Sequence, residues 1–95
     1  MSLKFTQTYS IAASGTQTIT TTEWPHIYLT EEFHIAVSGT GTVDVKTKQG
    51  TDTTQITQAT VIGGSPGIIA DLVNVTEISF VETAGNAVTV TLSGI

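Results

Sequence analysis

No stretch of this chain places apolar residues at helical spacing; period two recurs from one end to the other. Leu3, Phe5, Tyr9 and Ile11 share one parity, with Lys4, Thr6, Thr8 and Ser10 opposite. Phe33, Ile35 and Val37 alternate in the same way, as do Val43, Val45 and Thr47 against Asp44, Lys46 and Lys48. Ile78 and Phe80 carry the core side of a strand over residues 75–82, and Val88, Val90 and Leu92 that of the last strand. Such alternation describes strands with one buried and one wet face. Threonine fills 20 of the 95 positions, and a β-branched residue belongs on a pleated surface.

Turn signals punctuate these strands every 8–12 residues: Ser14-Gly15, residues 38–41, residues 49–52, residues 63–67 and Ala84-Gly85-Asn86. The pattern predicts seven to nine strands in one all-β domain over residues 1–95, a single antiparallel β-sandwich with Ig-like or jelly-roll connectivity. The alternating runs on either side of residues 38–41 predict a β-hairpin. Residues 17–22 form a weakly apolar strand near an edge. Pro25 breaks the next stretch, after which Ile27 and Leu29 face one way and His26 and Tyr28 the other. Ile56 anchors a polar strand over residues 53–58. Residues 68–73 fit either a strand or one helical turn. Both termini fall in or beside strands.

Ninety-five residues build one modest core: the folded chain should expose about 5,200 Å², roughly a third of its unfolded surface. There is no cysteine, so neither disulfides nor thiolate metal sites support it. Three lysines, no arginine and eight carboxylates give a net charge of −5, which excludes the basic footprint of a nucleic-acid binder and the polybasic patch of a lipid binder. The start of the chain has no apolar run of signal-peptide length, and no stretch approaches the ~18 apolar residues of a membrane span. The expectation is synthesis in a cytoplasm.

The inventory for chemistry is thin. His26 and His34 sit eight residues apart on different predicted strands, without the spacing of a zinc site. Gly64-Ser65-Pro66-Gly67 lacks the spacing of a nucleophile elbow, and Pro66 removes an amide that an oxyanion hole would use. Adjacent Glu31 and Glu32 would face opposite sides of a strand, a poor acid–base pair. Gly39-Thr40-Gly41 lacks the following Lys-Ser/Thr of a phosphate loop, and Asp44, Asp52 and Asp71 lie in no calcium-binding loop pattern. No enzymatic activity, cofactor or metal is expected. Trp24-Pro25-His26-Ile27-Tyr28 concentrates the only tryptophan, one of the two tyrosines and a histidine, making Trp24, His26 and Tyr28 the interaction candidates. For Trp24 the competing reading is a plug at the end of the core. Tyr28 has the parity of a surface residue.

The chain as a whole resembles a known class of proteins. The run Phe33-His34-Ile35-Ala36-Val37-Ser38-Gly39-Thr40-Gly41-Thr42-Val43-Asp44-Val45 is followed by the turn Gln49-Gly50-Thr51-Asp52-Thr53-Thr54. Val75-Thr76-Glu77-Ile78-Ser79-Phe80 then leads into the closing segment, residues 84–94. In style and order, residues 33–95 resemble the small all-β virion proteins of tailed bacteriophages: head decoration or cement proteins and related tail or fibre sandwich modules. Many of these carry a Trp after the central turn, where this chain has Thr53-Thr54-Gln55. The resemblance implies a non-enzymatic protein that decorates or stabilises a capsid, bound to other virion proteins and often a homo-oligomer. It would be located in the virion after synthesis in the host cytoplasm. The alternative reading is a carbohydrate-binding or adhesive β-sandwich module using Trp24 and Tyr28.

Overall fold

The computed structural model describes residues 4–94. Eight strands form, in chain order: β1 (Phe5–Ile11), β2 (Thr16–Thr20), β3 (Phe33–Gly39), β4 (Thr42–Gln49), β5 (Ile56–Ile62), β6 (Pro66–Ile69), β7 (Val75–Glu82) and β8 (Val88–Gly94). A single 3-10 turn spans Ile27–Leu29. The strands divide into two four-stranded antiparallel sheets, ordered β1-β8-β3-β6 and β2-β7-β4-β5. Every consecutive pair of strands except β4–β5 is split between the layers, the arrangement of an eight-stranded jelly roll rather than of an Ig-like sandwich. The exposed area is 5066 Å², close to the value expected from chain length.

The alternating apolar residues build the core. Ile35, Val37, Val88, Val90 and Leu92 come from one sheet, and Ile19, Val43, Val45, Ile78 and Phe80 from the other; all are buried. Most of the alternate residues in these strands lie on the outer faces, so each sheet contributes one apolar face to a shared layer. Leu3 and Ile95 lie outside the described residues.

Four local expectations change. β3 and β4 are not a hairpin: β3 pairs with β6 and β8, whereas β4 pairs with β5 and β7. Residues 40–41 instead carry the chain from one sheet to the other. Alternation in two successive strands cannot distinguish an arch from a hairpin, because both faces read the same in sequence. Residues 26–29 are not a strand; the 3-10 turn buries Ile27 and leaves Tyr28 and Leu29 about half exposed. Ile56 opens β5 rather than anchoring a strand from residue 53, and it too is half exposed. Residues 68–73 divide: β6 ends at Ile69, then the chain turns through positive φ at Asp71 and Asn74 while Leu72 drops into the core.

One buried carboxylate fastens the loops at one end of the sandwich. Glu82, at the end of β7, is 2% exposed. Its Oε1 accepts the backbone N–H of Ser14 (2.9 Å), Gly85 (2.8 Å) and Asn86 (3.0 Å). Its Oε2 accepts those of Thr42 (3.1 Å) and Ala84 (2.7 Å). These amides belong to the β1–β2, β3–β4 and β7–β8 connections. Ser14 is held at φ 59°, a left-handed conformation that a non-glycine residue adopts at a cost. Gly41 is required beside the carboxylate. A Cβ there would lie 2.5 Å from Val88 Cγ1, 2.6 Å from the Asn86 carbonyl and 2.8 Å from Glu82 Oε2.

The Ser14 amide, then those of Thr42, Ala84 and Gly85, hold the Glu82 carboxyl down at about 2, against the opposing effect of burial. A carboxyl whose folded value is depressed stabilises the protein above its unfolded value, near 4.5, and loses that contribution as pH falls towards 2. Glu82→Gln replaces one acceptor by an NH₂ group and leaves at least two amides without an acceptor in either orientation of the amide. This variant should melt roughly 10 °C or more below the parent at neutral pH, with a smaller loss of stability between pH 4.5 and 2. Thermal unfolding followed by circular dichroism across that pH range checks both effects.

Candidate functional site

The two outer faces of the sandwich differ in chemistry. On the β2-β7-β4-β5 sheet, the outward residues include Asp44, Lys46, Lys48 and Glu77, and several of them hold polar partners. Lys48 Nζ lies 3.7 Å from Glu77 Oε2, and Gln55 Nε2 donates to both Glu77 Oε2 and Ser79 Oγ at 2.7 Å. Thr18 Oγ1 and Ser79 Oγ are 3.0 Å apart, and Thr60 Oγ1 donates to Asp44 Oδ1 at 2.7 Å. This face is charged and hydrogen-bonded.

The outer face of the β1-β8-β3-β6 sheet is uncharged over most of its area. Cross-strand register aligns Thr6, Ser93 and His34 in one row, Thr8, Thr91 and Ala36 in the next, and Ser10, Thr89 and Ser38 in the third. These short side chains make a flat surface. Thr8 Oγ1 and Thr91 Oγ1 are 3.1 Å apart. His34 Nε2 pairs with Glu32 Oε2 at 3.2 Å at the rim, with both side chains more than half exposed. A surface pair of this kind adds little stability. Next to it lies an open cleft of about 720 Å³, lined by Lys4, Leu29, Glu31, Glu32, His34 and Ser93 among others.

The aromatic segment ahead of β3 separates into core and surface. Trp24 is 2% exposed, with Phe5 stacked on it at a centroid distance of 4.7 Å and an interplanar angle of 14°. Gly94 admits the other side of the indole: a Cβ at that position would meet Trp24 Cη2 at 2.6 Å. The ring therefore closes the core, the competing reading for Trp24, and offers no face to a ligand. Tyr28 is 48% exposed, and its ring lies 6.4 Å from that of His26. His26 Nδ1, Trp24 Nε1 and Thr30 Oγ1 are buried without a partner among the described residues, a cost that the packing of Trp24 has to offset. Glu23 is exposed at the start of the crossover. The Thr20 amide donates to its Oε2 at 2.8 Å and lowers its pKa. Tyr9 is shifted upward by burial and, secondarily, by the charge of Glu23.

Among the described residues, no group of three or more His, Cys, Asp or Glu side chains could hold a metal ion. No helix is long and apolar enough to cross a membrane. Sequence reasoning located Tyr28 and the surface position of His34. It missed Glu82, which reads as the polar end of a strand; the glycine at position 41 was the signal of a crowded turn. It also missed the hydroxyl face, because rows across strands become visible only once the register is known.

No protein-family model matches the chain, and no curated protein is significantly similar to it. Its structure is similar to the crystal structure of the Yersinia pseudotuberculosis-derived mitogen. The TM-score is 0.59 at 12% sequence identity, over 96% of this chain and 83% of that one. At that identity the likeness is one of fold, and it agrees with the jelly-roll sandwich described above.

Trp24 and Tyr28 should separate cleanly on substitution. Trp24→Ala removes a stacked, buried indole and should cost about 3–5 kcal/mol. Tyr28→Ala should change stability by no more than about 0.5 kcal/mol. Urea unfolding of the two variants beside the parent checks the pair.

Proposed function

We propose that this chain is a non-enzymatic virion protein of a tailed phage, which decorates or stabilises the capsid through protein–protein contacts. The observation that carries the reading is the contrast between the two faces. One sheet carries charged residues on its outer face, among them the Lys48–Glu77 pair, whereas the other presents a nearly uncharged field of Thr, Ser and Ala bordered by exposed Ile68. Flat surfaces poor in charge are desolvated at low cost and suit close packing against a protein lattice. Jelly rolls recur in viral capsid proteins, so the fold is compatible with such a place. The virion setting itself comes from the sequence resemblance over residues 33–95. A small domain with a modest core also gains stability by mass action when a partner surface holds only its folded form.

The fold is equally used by lectins, and half-exposed Tyr28, next in the chain to Leu29 of the Glu31–Glu32–His34 cleft, is the observation that favours a sugar-binding reading. Mass spectrometry of purified particles of the phage that encodes the chain should find it as a stoichiometric component. Ala36→Lys, which sets a charge in the middle of the hydroxyl face, should leave the fold intact and remove the protein from those particles. Absence from the particles, together with binding to a glycan array that Tyr28→Ala abolishes, would replace this reading with the lectin one.

A further inference from the structure

The four edge strands of the sandwich are not equally protected. Proteins blunt edges with short strands, prolines, bulges and charges, because an open edge pairs with other chains. β6 is four residues long and begins at Pro66. β5 is bulged: its register against β4 shifts between Val45 and Lys46, leaving Gln58 unmatched. β2 is five residues long, and the Glu23 carboxylate sits on its last amide. β1 carries none of these devices. Its seven residues run without a shift from Phe5 opposite Gly94 to Ile11 opposite Val88, with no charge and no proline.

The sequence of β1 is also complementary to itself. Turned antiparallel about Thr8, the strand meets its own copy with Thr8 opposite Thr8, Thr6 opposite Ser10, Gln7 opposite Tyr9 and Phe5 opposite Ile11. The outward row then consists of hydroxyl pairs, and the inward row ends in aromatic–β-branched pairs, the combinations that favour cross-strand neighbours. A two-fold interface requires this kind of self-match.

We propose that β1 pairs with β1 of a second copy, antiparallel and centred on Thr8, joining two β1-β8-β3-β6 sheets into one continuous eight-stranded sheet. Seven residues give a seam about 24 Å long, and two stacked sheets with their side chains make it roughly 20 Å deep. The buried area is then about 1,000 Å² over both copies, the lower bound for a specific interface. The pairing also doubles the width of the hydroxyl face without placing a charge on it. It names one partner within the assembly reading above, and a solution measurement on the protein alone separates its failure from the failure of that reading.

The test is sedimentation velocity of the full chain at low salt and roughly 100 µM, where an interface of this size is populated. The parent should sediment as a dimer. Thr8 is exposed, so Thr8→Lys and Thr8→Glu should fold as the parent does by circular dichroism. Each should weaken the dimer at least about tenfold by setting like charges face to face. Thr8→Lys reduces the net charge of −5, so a loss of dimer in that variant is not general repulsion. An equimolar mixture of the two variants should restore dimers containing one copy of each, because position 8 faces itself. A monomeric parent, a parent of another stoichiometry, variants that keep the parental affinity, or a mixture that stays monomeric would each overturn the proposal.

Discussion

The burial of one carboxylate organises the end of this sandwich where the chain crosses most often between layers. A jelly roll must pass strands repeatedly from sheet to sheet, and each passage leaves backbone amides that no ladder can satisfy. Glu82 collects five of them from three connections. The arrangement explains features that are separately costly. Ser14 takes a left-handed conformation so that its amide reaches Oε1, Gly41 lacks a side chain because the carboxylate and Val88 occupy its space, and a charge is kept in a site closed to water. A buried ion without a cation is tolerated because the amide dipoles act as its counter-charge.

With the connections held in this way, the strands are free to differ in what they present outside. One sheet carries lysines and carboxylates on its outer face, with Lys48 set against Glu77. The other leaves rows of short hydroxyl side chains and an edge strand without a blunting device. Both features place the unmet contacts of the molecule on the β1-β8-β3-β6 side. The low charge of the chain is therefore unevenly distributed as well as low.

Much of the fold was legible because one physical rule dominates it. Alternation placed Ile35, Val37, Val43, Val45, Ile78, Phe80, Val90 and Leu92 in the core, where they lie. The rule fails where a residue answers to something other than the pleat. Ile27 and Leu29 alternate in sequence yet sit on a 3-10 turn, because Pro25 and the crossover set the local path. Ser79 is buried although its neighbours Ile78 and Phe80 fill the other face, because Gln55 and Thr18 cover it. Partner choice was not legible, since β3 and β4 look the same whether they pair or part. Parity alone placed His34 at the surface of β3, whereas Tyr28 is exposed on a 3-10 turn where parity does not apply. The seat of Trp24 depended on Phe5 and Gly94, which lie 19 and 70 positions away in the chain.

The claim on which the rest depends is that Glu82 fixes three connections at once, and amide hydrogen exchange resolved by residue tests it directly. The amides of Ser14, Thr42, Ala84, Gly85 and Asn86 lie outside the strand ladders or at their ends, where exchange is ordinarily fast. The account predicts that at neutral pH all five exchange as slowly as core amides of β7 and β8, and that they open together. Exchange at the rate of the exposed turn at residues 50–52, or protection that differs widely among the five, would contradict it.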